Sequence, residues 1–154
     1  MHYIHFPATA QFDDLLPQIQ QAKRIKLSNL RLSDLLIDRK APHGVYLFFA
    51  PDGNVAYVGK AGSRTMLERV ASHFDVRPGS WFNSFLSALA GKPKGANPAA
   101  TELELINVLD KALEHEIVAV LFDSSSMQLI NSFESFLMKT YQPPYNSQRR
   151  KKVK

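Results

Sequence analysis

The sequence predicts an α+β fold: a small three-stranded, mainly antiparallel sheet flanked by helices, with an N-terminal helical extension. Three observations predict it. "GVYLFFAPDGNVAYVGK", Gly44 to Lys60, reads as two strands closed by a two-residue turn at Asp52-Gly53. Glu116–Phe122 is an apolar, β-branched run, the pattern of a buried third strand. Thr65 with Glu68, and Thr101 with Glu104, are two capping boxes that open helices around these strands.

Taken in order, residues 11–24 form an amphipathic helix candidate on Leu15, Leu16 and Ile19, with Pro17 against it. Ser33 is placed to cap a short helix through Arg39, and "APHG" breaks the chain. The hairpin strands are Val45–Ala50 and Val55–Gly59. A helix runs from Thr65 to about Phe74, and an apolar one from Trp81 to Ala90, where Gly91 stops it. "GKPKGANPA" is a loop with two lysines, and the second capping box opens a helix to about Glu114. Ser124–Ser126 start the last long helix, which ends near Tyr141 before Pro143 and Pro144. The expected organisation is an extension over residues 1–41, a domain over 42–147 and a basic tail over 148–154.

Composition narrows the function. A chain of 154 residues with 45% hydrophobic content suits one globular domain. The absence of cysteine excludes disulfides and cysteine chemistry. The N-terminal "MHYIHFPATAQFDD" lacks a cationic start and an apolar run, so no signal peptide is expected. No apolar stretch reaches the roughly 20 residues of a membrane span, and a soluble cytoplasmic protein is expected. The net charge is +5, part of it in the tail, where Arg149, Arg150, Lys151, Lys152 and Lys154 crowd together. Such a run serves equally as a solvated end or as a hold on phosphate backbone. The five histidines have no metal-ligand spacing.

The two-residue turn sets Tyr46 opposite Gly59 and Phe48 opposite Tyr57, so all four share one face. Tyr46 and Tyr57 become diagonal neighbours, and Gly59 leaves room beside the Tyr46 phenol. The plain reading is an aromatic cluster in the core. A phenol over a glycine gap, with Lys60 at the strand end, favours a site. In "TMLERVASHF", Leu67, Val70 and Phe74 mark the core stripe, and Arg69 and His73 stack on a neighbouring face. Arginine suits a phosphate oxygen, and histidine can pass a proton near neutral pH. In the last helix Glu134 lies among Ile130, Phe133, Leu137 and Met138. A carboxylate there needs a cationic partner, such as Lys60 or Arg69, or a hard cation.

Together these residues resemble the GIY-YIG nuclease superfamily. Gly44-Val45-Tyr46 and Tyr57-Val58-Gly59 match its two triplets, each with valine for isoleucine. The stretch from Gly44 to Ser63 is especially similar to the N-terminal nuclease domain of the nucleotide-excision-repair incision subunit. Arg69 matches the family's helix arginine, His73 the His or Tyr one turn later, Glu134 the metal-binding glutamate, and Asn146 in "QPPYN" the closing asparagine. The resemblance covers about residues 42–147. Arg69 lies slightly farther from Tyr57 than in the compact repair-type pattern, so Arg64 is its rival. Residues 75–115 are longer than a minimal family domain needs.

The resemblance implies a metal-dependent DNA endonuclease using Mg²⁺, with Mn²⁺ as the substitute. Glu134 would hold the cation and Arg69 the scissile phosphate. Tyr46 would activate or position water, helped by Lys60, His73 or the metal. Tyr57 would orient water or phosphate, and Asn146 would fix the site. These groups are expected to converge on one concave surface, with Asn146 at its edge; Glu134 on the opposite side of the sheet from Tyr46 would sink the nuclease reading. Arg64, Lys92, Lys94 and the tail cations would hold DNA. The pathway, whether repair, restriction or recombination, is not implied, and a partner protein or a second copy of the chain stays open. The alternatives are a non-catalytic nucleic-acid-binding module on the same fold, and an interaction protein whose tyrosines are only core.

Overall fold

The computed structural model describes residues 3–7, 9–80, 82–122 and 126–146. Its strands are β1 (Tyr3–Phe6), β2 (Ile25–Lys26), β3 (Gly44–Phe49), β4 (Val55–Ala61) and β5 (Glu116–Phe122). Its helices are α1 (Leu15–Gln21), α2 (Met66–Ser72), α3 (Ser84–Leu89), α4 (Glu102–Leu113) and α5 (Met127–Tyr141). The fold is α+β, but the sheet is mixed and has five strands rather than three. β3 runs antiparallel to both β4 and β5, and these are the three expected strands. On the far edge of β5, β1 pairs in parallel along Ala119–Phe122 and β2 pairs antiparallel at Ile117 and Glu116.

The N-terminus therefore begins with a strand and is not a helical extension. Val118–Val120 of β5 are buried, and an uncovered outer edge would leave their peptide groups unpaired. β1 and β2 supply the partners, but at four and two residues they are too short to show a period. Other expectations shift locally. Only Leu15–Gln21 of residues 11–24 is α-helical, after a 3₁₀ turn at Phe12–Asp14. Pro17 is harmless there because the first-turn N–H groups have no helical partner. Ser33 caps nothing: a 3₁₀ turn spans Leu32–Leu35, and the Asp34 carboxylate accepts from the Arg31 N–H at 2.8 Å. Trp81, Ser124 and Ser125 lie outside the described residues, and Ser126 caps α5 through the Leu129 N–H.

The hairpin turn also differs. Gly53 N–H donates to the Ala50 carbonyl and Ala50 N–H to the Asn54 carbonyl, so the loop is three residues, Pro51 to Gly53. Gly53 takes a positive φ of 85°, as the last position of such a loop requires. That loop alone would slip the register by one. A bulge at Ala56 restores it, because Phe49 pairs with Val55 while Phe48 pairs with Tyr57. Tyr46 does face Gly59.

The sheet carries a core on each side. Tyr46, Phe48, Tyr57 and Ile117 pack with Met66 and Val70 of α2, Phe85 of α3 and Leu105 of α4. Val45, Leu47, Val58 and Val118 pack with Leu15 and Ile19 of α1 and Ile130, Phe133 and Leu137 of α5. Among the described residues, no helix is long and apolar enough to cross a membrane.

Candidate functional site

β4 is the outermost strand on its side of the sheet, and its edge is closed by side chains rather than by another strand. Asn146 lies against Val58, accepting its N–H at 2.8 Å and donating to its carbonyl at 2.7 Å. Tyr145 N–H reaches the carbonyl of the bulged Ala56, and Arg69 Nε donates to the Lys60 carbonyl at 3.2 Å. Over this edge lies a cleft of about 290 Å³. Lys60, Arg64, Arg69 and Lys94 line it, with Glu134 as the carboxylate among the described lining residues. Four cations to one carboxylate give its described lining a net positive charge.

Glu134 arrives from an unexpected direction. Its helix α5 packs on the face opposite Tyr46, contrary to the expected placement on one side. The carboxylate reaches the cleft at the β4 edge, where Lys60 Nζ meets Glu134 Oε2 at 2.7 Å. Arg69 comes from the Tyr46 side, so the two meet across the strand edge instead of over a sheet face. Phe82 braces the basic wall: its ring lies 3.8 Å from the Arg64 guanidinium carbon and 5.3 Å from that of Arg69. Both arginines line the cleft.

The tyrosines lie beneath this cleft. Tyr46 is fully buried, and a Cβ on Gly59 would collide with its ring, so the phenol itself fills the expected gap. Tyr46, Phe48, Tyr57, His73 and Phe85 form one aromatic cluster. The plain core reading thus describes their packing, with polar tips added. Tyr46 Oη meets His73 Nε2 at 2.5 Å, and the Phe85 N–H is directed at His73 Nδ1. Nδ1 is therefore the acceptor, which leaves the imidazole proton on Nε2, donating to the phenol oxygen. Tyr57 Oη shares a hydrogen bond with Ser84 Oγ at 2.9 Å, and Ser84 lines the cleft.

His73 is buried, not exposed on a neighbouring helix face. The core stripe of α2 is Met66, Val70 and His73, with Leu67 and Phe74 only partly buried. The imidazole tolerates burial because both its nitrogens have partners. Burial, helped by Arg69, lowers its pKa to about 3, so it stays neutral at physiological pH. Burial drives the Tyr46 phenol well above its ordinary range, against the pull of Arg69. Tyr57 is raised for the same first reason.

Lys92 is engaged elsewhere, in an ion pair with Glu104 at 2.8 Å, while Lys94 reaches the cleft. Arg149, Arg150, Lys151 and Lys152 lie outside the described residues. Phe82, Ser84 and Met127, also at the cleft, escaped the sequence reading because nothing in their local pattern marks chemistry. Among the described residues, no group of three or more histidines or acids is arranged to hold a metal. A hard cation that takes one carboxylate, with phosphate and water as its other ligands, fits Glu134, though it must compete with Lys60. The chain matches no protein-family model and no curated protein.

Proposed function

We propose that the chain is a metal-dependent endonuclease that hydrolyses DNA phosphodiester bonds in the cleft over the β4 edge. The observation that carries this reading is the single carboxylate, Glu134, set among Lys60, Arg64, Arg69 and Lys94. Cations alone would suffice to grip phosphate; a carboxylate facing it repels unless it holds a cation. In this reading Arg69, fixed at Nε by the Lys60 carbonyl, meets the charge that develops on the scissile phosphate. Arg64, steadied on Phe82, holds the strand. A divalent cation on Glu134, Mg²⁺ or Mn²⁺, would supply Lewis-acid polarisation and a more acidic bound water. Burial and a raised pKa make Tyr46 a poor base, which favours positioning: the phenol orients Arg69 from below while His73 donates to its oxygen.

One observation favours a second reading, a nucleic-acid-binding module that does not cut. Lys60 already neutralises Glu134, as a purely structural ion pair would. Glu134→Gln separates the two. Under the nuclease reading, cleavage of plasmid, branched or single-stranded DNA in Mg²⁺ falls at least about a hundredfold per folded molecule. DNA binding holds. Stability falls by about 1 kcal/mol or less, because the Lys60 partner is substantially exposed. A wild-type protein that binds DNA but cuts none of these substrates in Mg²⁺ or Mn²⁺, as in EDTA, leaves the binding reading standing.

A further inference from the structure

A second cleft, of about 250 Å³, adjoins the first, with Ser84 and Lys94 lining both. All of its described lining residues fall within residues 75–115.

Both walls are held in place. On the α3 side, Asn83 is buried, donates to the Asp75 carbonyl at 2.6 Å and accepts from the Ser87 hydroxyl at 2.9 Å. Ser80 donates to the Asp75 carboxylate at 3.0 Å. On the loop side, Glu104 accepts from Lys92 at 3.0 Å, from the Thr101 N–H at 2.8 Å and from the Thr101 hydroxyl at 3.0 Å. One carboxylate thus ties down both ends of the loop over residues 92–101. A loop pinned twice keeps its hollow instead of collapsing into it.

The lining suits a molecule with an apolar body and a negative end. Pro93, Ala96 and Ala99 give a small accessible apolar surface, Lys94 lies on the loop wall, and no carboxylate is among the described lining residues. A nucleotide has that chemistry, and the two clefts share a rim at Ser84 and Lys94, so one strand could enter both. We propose that the second cleft receives the nucleotide adjacent to the phosphate held in the first, with its base against Pro93, Ala96 and Ala99. The proposal rests on the nucleic-acid reading above and adds a subsite to it.

The test is amide NMR of the full chain in Mg²⁺, titrated with inorganic phosphate and with a 5′-phosphorylated phosphorothioate thymidine dinucleotide. Phosphate should shift Gly62, Ser63 and Arg69 alone. The dinucleotide should also shift Ser87, Gly95 and Ala96. Ala99 is an exposed lining residue, so Ala99→Phe should fold normally and fill the cleft. It should keep the first set of shifts, lose the second and weaken dinucleotide binding about tenfold. Dinucleotide shifts confined to the first cleft in the wild type, or an affinity unchanged by Ala99→Phe, would overturn this subsite while leaving the nuclease reading intact. Shifts in neither cleft would overturn both.

Discussion

At the scale of the residue, the candidate site depends on a few atoms that cannot change size or charge. Gly59 is one. Its missing Cβ is where the Tyr46 ring lies, and Gly59→Ala should cost about 1–3 kcal/mol or more in urea unfolding. The same change on a Tyr46→Leu background should cost less, because the collision is gone. An equal cost in both backgrounds would place the strain elsewhere. His73 is another. The unfolded chain takes up its proton near the ordinary histidine pKa, while the folded chain resists until about 3. A depressed folded pKa means stability that is full above about pH 6.5 and is lost as pH falls toward 3. Between pH 7 and pH 5 the loss should be on the order of 2 kcal/mol. His115 is displaced in the same direction by burial and adds to the slope. The hydrogen-bonded carboxylates Asp52, Glu68, Asp75 and Glu104 act only lower, below their ordinary range. His73→Gln should therefore flatten most of the slope in urea unfolding at the two pH values. A slope as steep as the wild type's would deny His73 that role.

At the scale of the element, the edge of β4 deserves the most weight, because the cleft is built on it. An exposed strand edge invites pairing with another chain. Here Asn146, Tyr145 and Arg69 cover it, and the two prolines after α5 end the helix where the chain must turn back toward β4. Asn146→Ala removes both bonds to Val58. The Val58 amide should then exchange with solvent at least about tenfold faster, with a stability loss of about 1–3 kcal/mol. Exchange at Val58 unchanged from wild type would mean that the amide is protected by other means. The bulge at Ala56 belongs to the same design: it corrects the hairpin register and presents the Ala56 carbonyl to Tyr145.

At the scale of the whole molecule, the sheet separates two cores and its open edge brings their helices back together. α2 contributes Arg69 from one face and α5 contributes Glu134 from the other, and Lys60 on β4 is in contact with both: its carbonyl with Arg69, its ammonium with Glu134. Five of the chain's 19 lysines and arginines fall in residues 148–154, a segment without acids. Deleting those residues should weaken DNA binding and flatten its salt dependence, since fewer counterions are released, while cleavage at saturating DNA survives. A salt slope equal to that of the full chain would show that the tail does not touch DNA.

Short-range chemistry is legible in the residues alone. Both capping boxes form as Thr65–Glu68 and Thr101–Glu104 require, because each needs only four neighbouring residues. β5, a continuous β-branched run, is the buried third strand, and Tyr46 faces Gly59 as the alternation of the hairpin demands, although the turn that delivers them is a different one. Arg69 and Glu134 stood out as candidates from pattern and Asn146 from the resemblance, but their arrangement did not. Only the tertiary structure decided that Tyr3–Phe6 is a strand, since four residues acquire that conformation from the β5 edge they complete. Only it decided that His73 belongs to the core, where Tyr46 and the Phe85 N–H satisfy both ring nitrogens, and that Lys60 is the partner of Glu134. Helical and strand periods specify which side of an element is apolar. Which elements meet, and so which polar atoms find each other, is settled by packing between residues far apart in the chain, and a local pattern carries no record of that.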